Sequence, residues 1–253
     1  MSGTLYLCAT PIGNLEDITL RVLRTLQEVD VIAAEDTRNT IKLLNHFEIK
    51  TPMTSYHEYN KVDKAAYLVE QLANGKNIAL VTDAGTPAIS DPGEELVKQA
   101  YAAGIPVTSL PGACACVTAL TLSGLSTRRF AFEAFLPSDK KLRRKILDSL
   151  CTETRTVIIY EAPHHLRATL QELFAALGDR RLTICRELTK IHESAMQFTL
   201  SEAIYYYEQN APKGEYVLVI EGRNMADLEQ ESRDAWAQLS VCLLYTSDAA
   251  DEL

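Results

Sequence analysis

The chain has 253 residues, 47% of them hydrophobic and 23% charged, a composition that builds an ordinary packed core and excludes a disordered polymer. Its formal net charge of −9 excludes a surface that is a nucleic-acid footprint throughout, because phosphate binding runs on Lys and Arg, so any such contact must be local. The length favours two moderate domains over one, and the lack of a signal-like start or of an apolar run of about 20 residues leads to a cytoplasmic protein with no membrane partner.

The N-terminal half alternates short apolar runs with amphipathic stretches: 6–9, then 18–26, 29–34 and 40–47. That alternation predicts a mostly parallel sheet covered by helices. A helix over 62–72 should stop at Asn74-Gly75, and the apolar strand 78–81 should follow. The long loop 82–93 comes next, before a helix opened by Glu94 and Glu95. In open α/β sheets ligands bind outside the carboxyl ends of the strands, where this loop and the first one, 10–14, should both lie. A strand at 107–110 leads into Pro111-Gly112-Ala113 and a helix of small residues reaching about Leu122.

A connector over 124–129 puts a domain boundary near Ser126, giving an N-terminal α/β domain over 1–126 and a C-terminal one over 127–222. The second domain has predicted strands at 130–135, 156–160, 182–187 and 216–221 and a helix at 163–177. Its stronger period-two patterning predicts a mixed sheet. A helical tail follows over 223–253. Its last stretch, 239–253, breaks the helical pattern of 227–238 without a capping signal and resembles translated sequencing-adaptor read-through, so it is not expected to belong to the fold.

The six cysteines lie in largely apolar settings and are expected to be buried, reduced thiols. Cys114 and Cys116 form a C-x-C without a second pair or spaced histidines, which argues against structural zinc. There is no G-x-G-x-x-G, no G-x-x-x-x-G-K-[ST] and no H-E-x-x-H, which removes the common dinucleotide, nucleotide and zinc-protease readings. His164 and His165, being adjacent, cannot face one metal from a helix and read as cap or surface residues.

Five strings survive this sieve: 9–19, Ala34-Glu35-Asp36-Thr37-Arg38, 82–93, Pro111-Gly112-Ala113 and Phe132-Glu133-Ala134-Phe135-Leu136-Pro137. Together they resemble the tetrapyrrole-methylase superfamily, and most closely its ribosomal RNA branch, over residues 4 to about 222. The tetrapyrrole enzymes usually carry Gly-Asp-Pro where this chain has Gly85-Thr86-Pro87. The resemblance implies a two-domain α/β fold, each domain a sheet flanked by helices, with S-adenosylmethionine in the interdomain cleft, and a homodimer. Residue by residue it carries Pro11 and Ile12 onto the first cofactor loop, Gly85, Thr86 and Ile89 onto the second, and Gly112 and Ala113 onto the third. Asp83 could offset the positive charge of the cofactor, or simply bond its own turn.

The activity implied is transfer of the methyl group to the ribose 2′-hydroxyl of a cytidine in 16S rRNA of the small ribosomal subunit, near the decoding centre, with no metal and no DNA involved. Such a transfer needs a base close to a weakly acidic hydroxyl. Glu35, Asp36 and His57 are the candidates, and the resemblance does not choose among them. Arg38 in the first turn of a helix would oppose the helix dipole and should meet an anion: RNA phosphate, the cofactor carboxylate, or Asp36 or Glu35. Lys140, Lys141, Arg143, Arg144 and Lys145 form the strongest basic cluster in this acidic chain and read as a landing site for RNA, with a solvated helix face as the plainer alternative. The cluster tips the choice away from a small-tetrapyrrole methylase. A non-catalytic ribosome-assembly factor is the rival from another class.

Overall fold

A computed structural model describes residues 2–226, 228–230 and 233. The unusual stretch 239–253 lies outside them. The chain forms two compact units, one taking in the residues up to Ala119 together with Arg186–Ser194, the other Leu120–Cys185 and the described residues from Ala195 onward. The sequence reading broke the chain at Ser126 and kept 127–222 whole. The structure divides it earlier and assigns a segment of the later half to the first unit.

The first unit contains β1 (Leu5–Cys8), α1 (Leu20–Glu28), β2 (Val31–Ala34), α2 (Thr37–His46), β3 (Met53–Ser55), α3 (Lys61–Ala73), β4 (Ile78–Val81), α4 (Gly93–Ala102) and β5 (Val107–Leu110). α5 (Ala115–Leu122) carries the chain onward. The strands form one sheet in the order β3-β2-β4-β1-β5, every pair parallel. β4, at its centre, is buried along its whole length. Alternate residues serve opposite faces: Ile78 and Leu80 pack with Leu68 and Leu72 of α3 and Leu96 of α4, whereas Ala79 and Val81 pack with Val22 and Leu26 of α1 and Leu44 of α2. A sheet covered on both faces is the arrangement in which all-parallel pairing is stable. Each fully buried Leu or Val contributes about 1.5–3 kcal/mol from burial.

The helix boundaries follow from local chemistry. Thr19 caps α1 by accepting from the Val22 N–H at 3.2 Å, and Asp36 caps α2 through the Arg38 N–H at 2.8 Å. α3 ends at Asn74, and Gly75 turns the chain in the left-handed conformation at φ 93°.

The second unit contains β6 (Phe130–Phe135), α6 (Lys140–Leu150), β7 (Thr156–Glu161), α7 (Leu166–Leu177), β8 (Arg181–Arg186), β9 (Ser194–Thr199), α8 (Leu200–Gln209) and β10 (Tyr216–Ile220). Strand order is β6-β7-β10-β8-β9, with β6 parallel and β10 antiparallel to β7, so the sheet is mixed, as the patterning predicted. α6, α7 and α8 pack through Leu147, Leu170 and Leu200 onto a core with Ile159, Ile184 and Leu218 of the strands. β9 and α8 were not foreseen, although Thr199 and Glu202 close a complete capping box at their junction. α7 starts at Leu166, so Pro163 stands in the preceding turn and not in the helix's first turn. Among the described residues no helix is long and apolar enough to cross a membrane.

Candidate functional site

Because its five strands are parallel, the first unit gathers all their carboxyl ends along one edge. There β1 delivers Pro11 and Ile12, β2 delivers Glu35 and Asp36, and β3 delivers His57. β4 delivers Asp83, Gly85, Thr86 and Ile89, and β5 delivers Gly112 and Ala113. Residues far apart in sequence thus share one end of the unit, with Arg38 on the first turn of α2 beside them.

The loops are laced together by main-chain bonds. Thr10 and Gly85 exchange a pair, with Thr10 N–H donating to the Gly85 carbonyl at 2.9 Å and Gly85 N–H to the Thr10 carbonyl at 3.0 Å. The Thr86 hydroxyl donates to the Ala113 carbonyl at 3.0 Å, joining the second loop to the third. Gly85 sits at φ 85°, a conformation that costs glycine little, and a Cβ there would come within 3.3 Å of the Ile12 side chain. At Gly112 a Cβ would lie 2.6 Å from that of Ala9, so the third loop can pass this close to β1 only without a side chain.

The second loop is held in shape by Asp91, which sequence reasoning passed over. Its Oδ1 accepts from the Ala88 N–H at 3.0 Å and the Gly93 N–H at 2.7 Å, while Ala88 and Ser90 both adopt left-handed φ near 65°. Such strain in non-glycine residues is retained where the surroundings over-determine it, and it clusters at functional sites. Oδ2 of Asp91 is buried without a partner, and burial above all pushes this carboxyl's pKa up. The hydroxyl of Tyr56, a residue 1% exposed, donates to the Pro92 carbonyl at 2.9 Å and so ties the end of β3 to the same loop.

Three carboxylates crowd this edge. Oε2 of Glu35 accepts from the Thr82 hydroxyl at 2.6 Å and from the Asp83 N–H at 3.3 Å, which leaves Oε1 to face other groups. Asp36 is engaged by Arg38 through Nε at 3.0 Å and Nη2 at 2.7 Å as well as through the backbone, and these bonds bring its pKa down to about 2. The Arg38 side chain remains 88% exposed while making that pair. Asp83 is raised, first by burial of its carboxyl and then by the charges of Glu35 and Asp36. His57 donates its N–H to Asn60 Oδ1 at 2.8 Å, its Nε2 lies 3.4 Å from Asn60 Nδ2, and its Nδ1 is buried without a partner. A recess of about 210 Å³ runs from Thr10, Pro11 and Leu15 to Asn39 and Lys42 of α2, with Thr82 and Asp83 also lining it.

The first loop is backed by the segment Arg186–Ser194. A Cβ on Gly13 would meet Lys190 Cγ at 2.4 Å, Thr189 Oγ1 at 2.9 Å and the Leu188 carbonyl oxygen at 3.0 Å. Glu187 and Thr189 hold φ of 50° and 65°, and Thr189 N–H donates to Glu193 Oε2 at 2.5 Å. A β-branched residue at positive φ is a rare conformation. The sequence carries no local signal for this role: charged residues there are interspersed with Leu188, Thr189 and Ile191.

In the second unit Lys140, Lys141, Arg144 and Lys145 are exposed on α6. Arg143 differs from its neighbours. Its side chain is 16% exposed and bonds Glu172 at 2.6 Å, the Thr169 hydroxyl at 2.7 Å and the Leu136 carbonyl at 3.4 Å. Thr169 in turn donates to the buried Glu161. Arg143, expected among the RNA-facing cations, is instead engaged inside the unit and joins α6 to α7. Among the described residues no three His, Cys, Asp or Glu side chains are grouped to hold a metal.

Comparison with known proteins accords with this geometry. Residues 4–204 match the family Tetrapyrrole (Corrin/Porphyrin) Methylases. The chain is 52% identical over 256 residues to ribosomal RNA small subunit methyltransferase I of Synechocystis sp., covering 99% of this chain and 92% of that protein. The protein of the same name from Halalkalibacterium halodurans is 54% identical, covering 87% and 76%. Among solved structures, uroporphyrin-III C-methyl transferase from Thermus thermophilus complexed with S-adenyl homocysteine shares the fold with a TM-score of 0.61 at 17% identity, over 86% of this chain and 97% of that one.

Proposed function

We propose that this chain, which belongs to the tetrapyrrole methylase family and within it to the ribosomal RNA small subunit methyltransferase I branch, transfers a methyl group from S-adenosylmethionine to a cytidine 2′-hydroxyl of 16S rRNA near the decoding centre. It acts as a homodimer in the cytoplasm. The observation that carries the reading is the convergence of three interlocked loops and three carboxylates at one end of a parallel sheet.

The residues fit the cofactor. Its sulfonium and ammonium groups are cationic, and Glu35, Asp36, Asp83 and the partnerless Oδ2 of Asp91 supply negative charge at this edge. Pro11, Ile12, Gly85, Thr86, Ile89, Gly112 and Ala113 would hold it, the glycines allowing main chain to approach closely. When bound it supplies an electrophilic methyl carbon. The remaining work falls to the chain.

A ribose hydroxyl is a weak acid, so its proton must have somewhere to go as the new bond forms. We assign that role to Glu35. Thr82 and Asp83 fix its Oε2, and Oε1 stays open to a substrate hydroxyl. Asp36 is a poor base, since its charge is already satisfied by Arg38 and by the start of α2. His57 is held by Asn60, and we assign it a positioning role at the end of β3. Lys140, Lys141, Arg144 and Lys145 supply the local positive field that an acidic chain needs to attract RNA, and Arg38 adds an exposed cation at the site itself.

The test is single-turnover transfer of labelled methyl from S-adenosylmethionine onto small ribosomal subunits lacking the modification, followed by nucleoside analysis. Label in 2′-O-methylcytidine is expected. Label on a base, or none with intact cofactor binding, would overturn the assignment and favour an assembly factor.

A further inference from the structure

Sulfur chemistry stands directly beside the third loop. Cys114 follows Ala113, whose carbonyl holds the Thr86 hydroxyl, and its Sγ lies 3.4 Å from that of Cys116, across the first residue of α5. Cys116 is 5% exposed, whereas Cys114 is half-buried and open to small reagents. Cys114 also anchors the helix entrance, its carbonyl accepting from the Thr118 N–H at 3.0 Å and hydroxyl at 2.9 Å.

The remaining described cysteines offer no comparable pair. Cys8 is buried, and burial pushes its thiol up to about 12. Cys185 is buried, and Cys151 donates its thiol to the Ala176 carbonyl at 3.0 Å. Cys114 moves the other way. Hydrogen bonding from Cys116, then from the Val117 and Cys116 amides and the Thr86 hydroxyl, draws it down to about 6. Thiolate, not thiol, is the nucleophile, so attack by oxidants should concentrate there.

We propose that Cys114 and Cys116 are a dithiol modification site for hydroperoxides, whose oxidation to a disulfide reshapes the third loop and weakens cofactor binding. The second clause rests on the reading of that loop as part of the cofactor site. The thiolate of Cys114 attacks one oxygen of hydrogen peroxide, the O–O bond breaks, and a sulfenic acid forms as the other oxygen leaves as water after taking a proton. The thiol of Cys116 then attacks that sulfur, an S–S bond forms, and the sulfenic oxygen leaves as a second water. The two sulfurs together lose two electrons and the peroxide gains them. To bond, sulfurs now merely in contact must close up, which shifts Cys114 and strains the bond between the adjoining Ala113 carbonyl and Thr86. A bridge between cysteines two residues apart is strained, and strained disulfides are readily reduced, as a reversible switch requires.

The experiment treats the reduced full-length protein with hydrogen peroxide and follows intact mass, peptide mapping, amide hydrogen exchange and S-adenosylmethionine calorimetry. Loss of two hydrogens should map to the peptide holding both cysteines. Exchange in the third loop should quicken and cofactor affinity fall about tenfold, all reversed by dithiothreitol. Cys116→Ser should bind cofactor normally when reduced and stop at a sulfenic acid that dimedone traps. An unreactive Cys114, oxidation that bypasses the disulfide, or a disulfide that leaves loop exchange and affinity unchanged would each overturn the proposal. If the reduced protein bound no cofactor, the functional reading would fall, while mass and exchange would still judge the switch.

Discussion

The hydroxyl of Thr82 donates to Oε2 of Glu35 at 2.6 Å, joining the ends of β4 and β2, which are neighbours in the sheet. This bond fixes which carboxylate oxygen is occupied and which faces outward. Thr82→Val preserves the shape and removes the donor. Hydrogen bonds to charged groups are worth about 1.5–3 kcal/mol, so the methyl-transfer rate should fall about tenfold or more while cofactor affinity holds. Single-turnover kinetics beside calorimetry would check it.

Glu35→Gln keeps an acceptor for Thr82 but cannot take a proton. It should lower the chemical step by about 100- to 10,000-fold. Asp36→Asn and His57→Gln should each cost much less. If Glu35→Gln kept a near-normal rate and His57→Gln did not, the assignment of the base would pass to the histidine.

Asp36 gives a pH prediction. Its folded pKa is depressed to about 2, so its contribution to stability is complete above about pH 4, where the unfolded acid is ionised, and is lost as pH falls through about 2. Asn caps helices as well as Asp does, so Asp36→Asn isolates the ion pair with Arg38. The gap between the urea midpoints of parent and variant should be full at neutral pH and close toward pH 2.

On α6 the structure separates two kinds of cation. Charge reversal at Lys140, Lys141, Arg144 and Lys145 should weaken binding to small ribosomal subunits and flatten its salt dependence, each lost phosphate contact removing about one unit from the logarithmic slope. Arg143→Met should leave that slope alone and instead lower folding stability by about 2–3 kcal/mol, because it strips partners from Thr169 and Glu172. Filter binding across a salt series, with denaturation curves, would distinguish the two.

Gly13→Ala should cost about 1–3 kcal/mol of stability by overpacking. The Lys190 atom met is Cγ, near the backbone, its side chain is held by Glu187 through Nζ at 2.9 Å, and the Leu188 carbonyl oxygen at 3.0 Å is backbone, so none of these gives way freely. Urea denaturation would measure the loss, and proteolysis should show cleavage appearing within 186–194. An unchanged midpoint would mean that the segment yields freely.

Much of this was legible in the sequence because the signals are local. Asp36-Thr37 and Asn74-Gly75 announce helix ends through their own side chains and dihedrals, and the alternation around 78–81 announces a parallel sheet. The edge of that sheet then brings the loop motifs together. β9 escaped notice because its exposure alternates but its polarity does not follow: Ala195 is exposed while Ser194 is half-buried. For Arg143, charge alone points outward, whereas its place in the helix points inward. It stands four residues before Leu147 and seven before Leu150, both buried, so the helical period already placed it on the inner face. No local rule points from Gly13 to Lys190, since that contact exists only once the chain has folded.

The return of Arg186–Ser194 to the first unit has a consequence in time. A ribosome releases residues in order, at about 5–20 per second, and this segment emerges about 75 residues after Ala119, a delay of about 4–15 s. Through that interval the nascent first unit has its sheet but lacks the strip that covers Gly13. The part begun first is thus completed only after about half of the second unit has been synthesised. A chain cut at Ser126 would remain indefinitely at that unfinished stage, with its first loop unsupported.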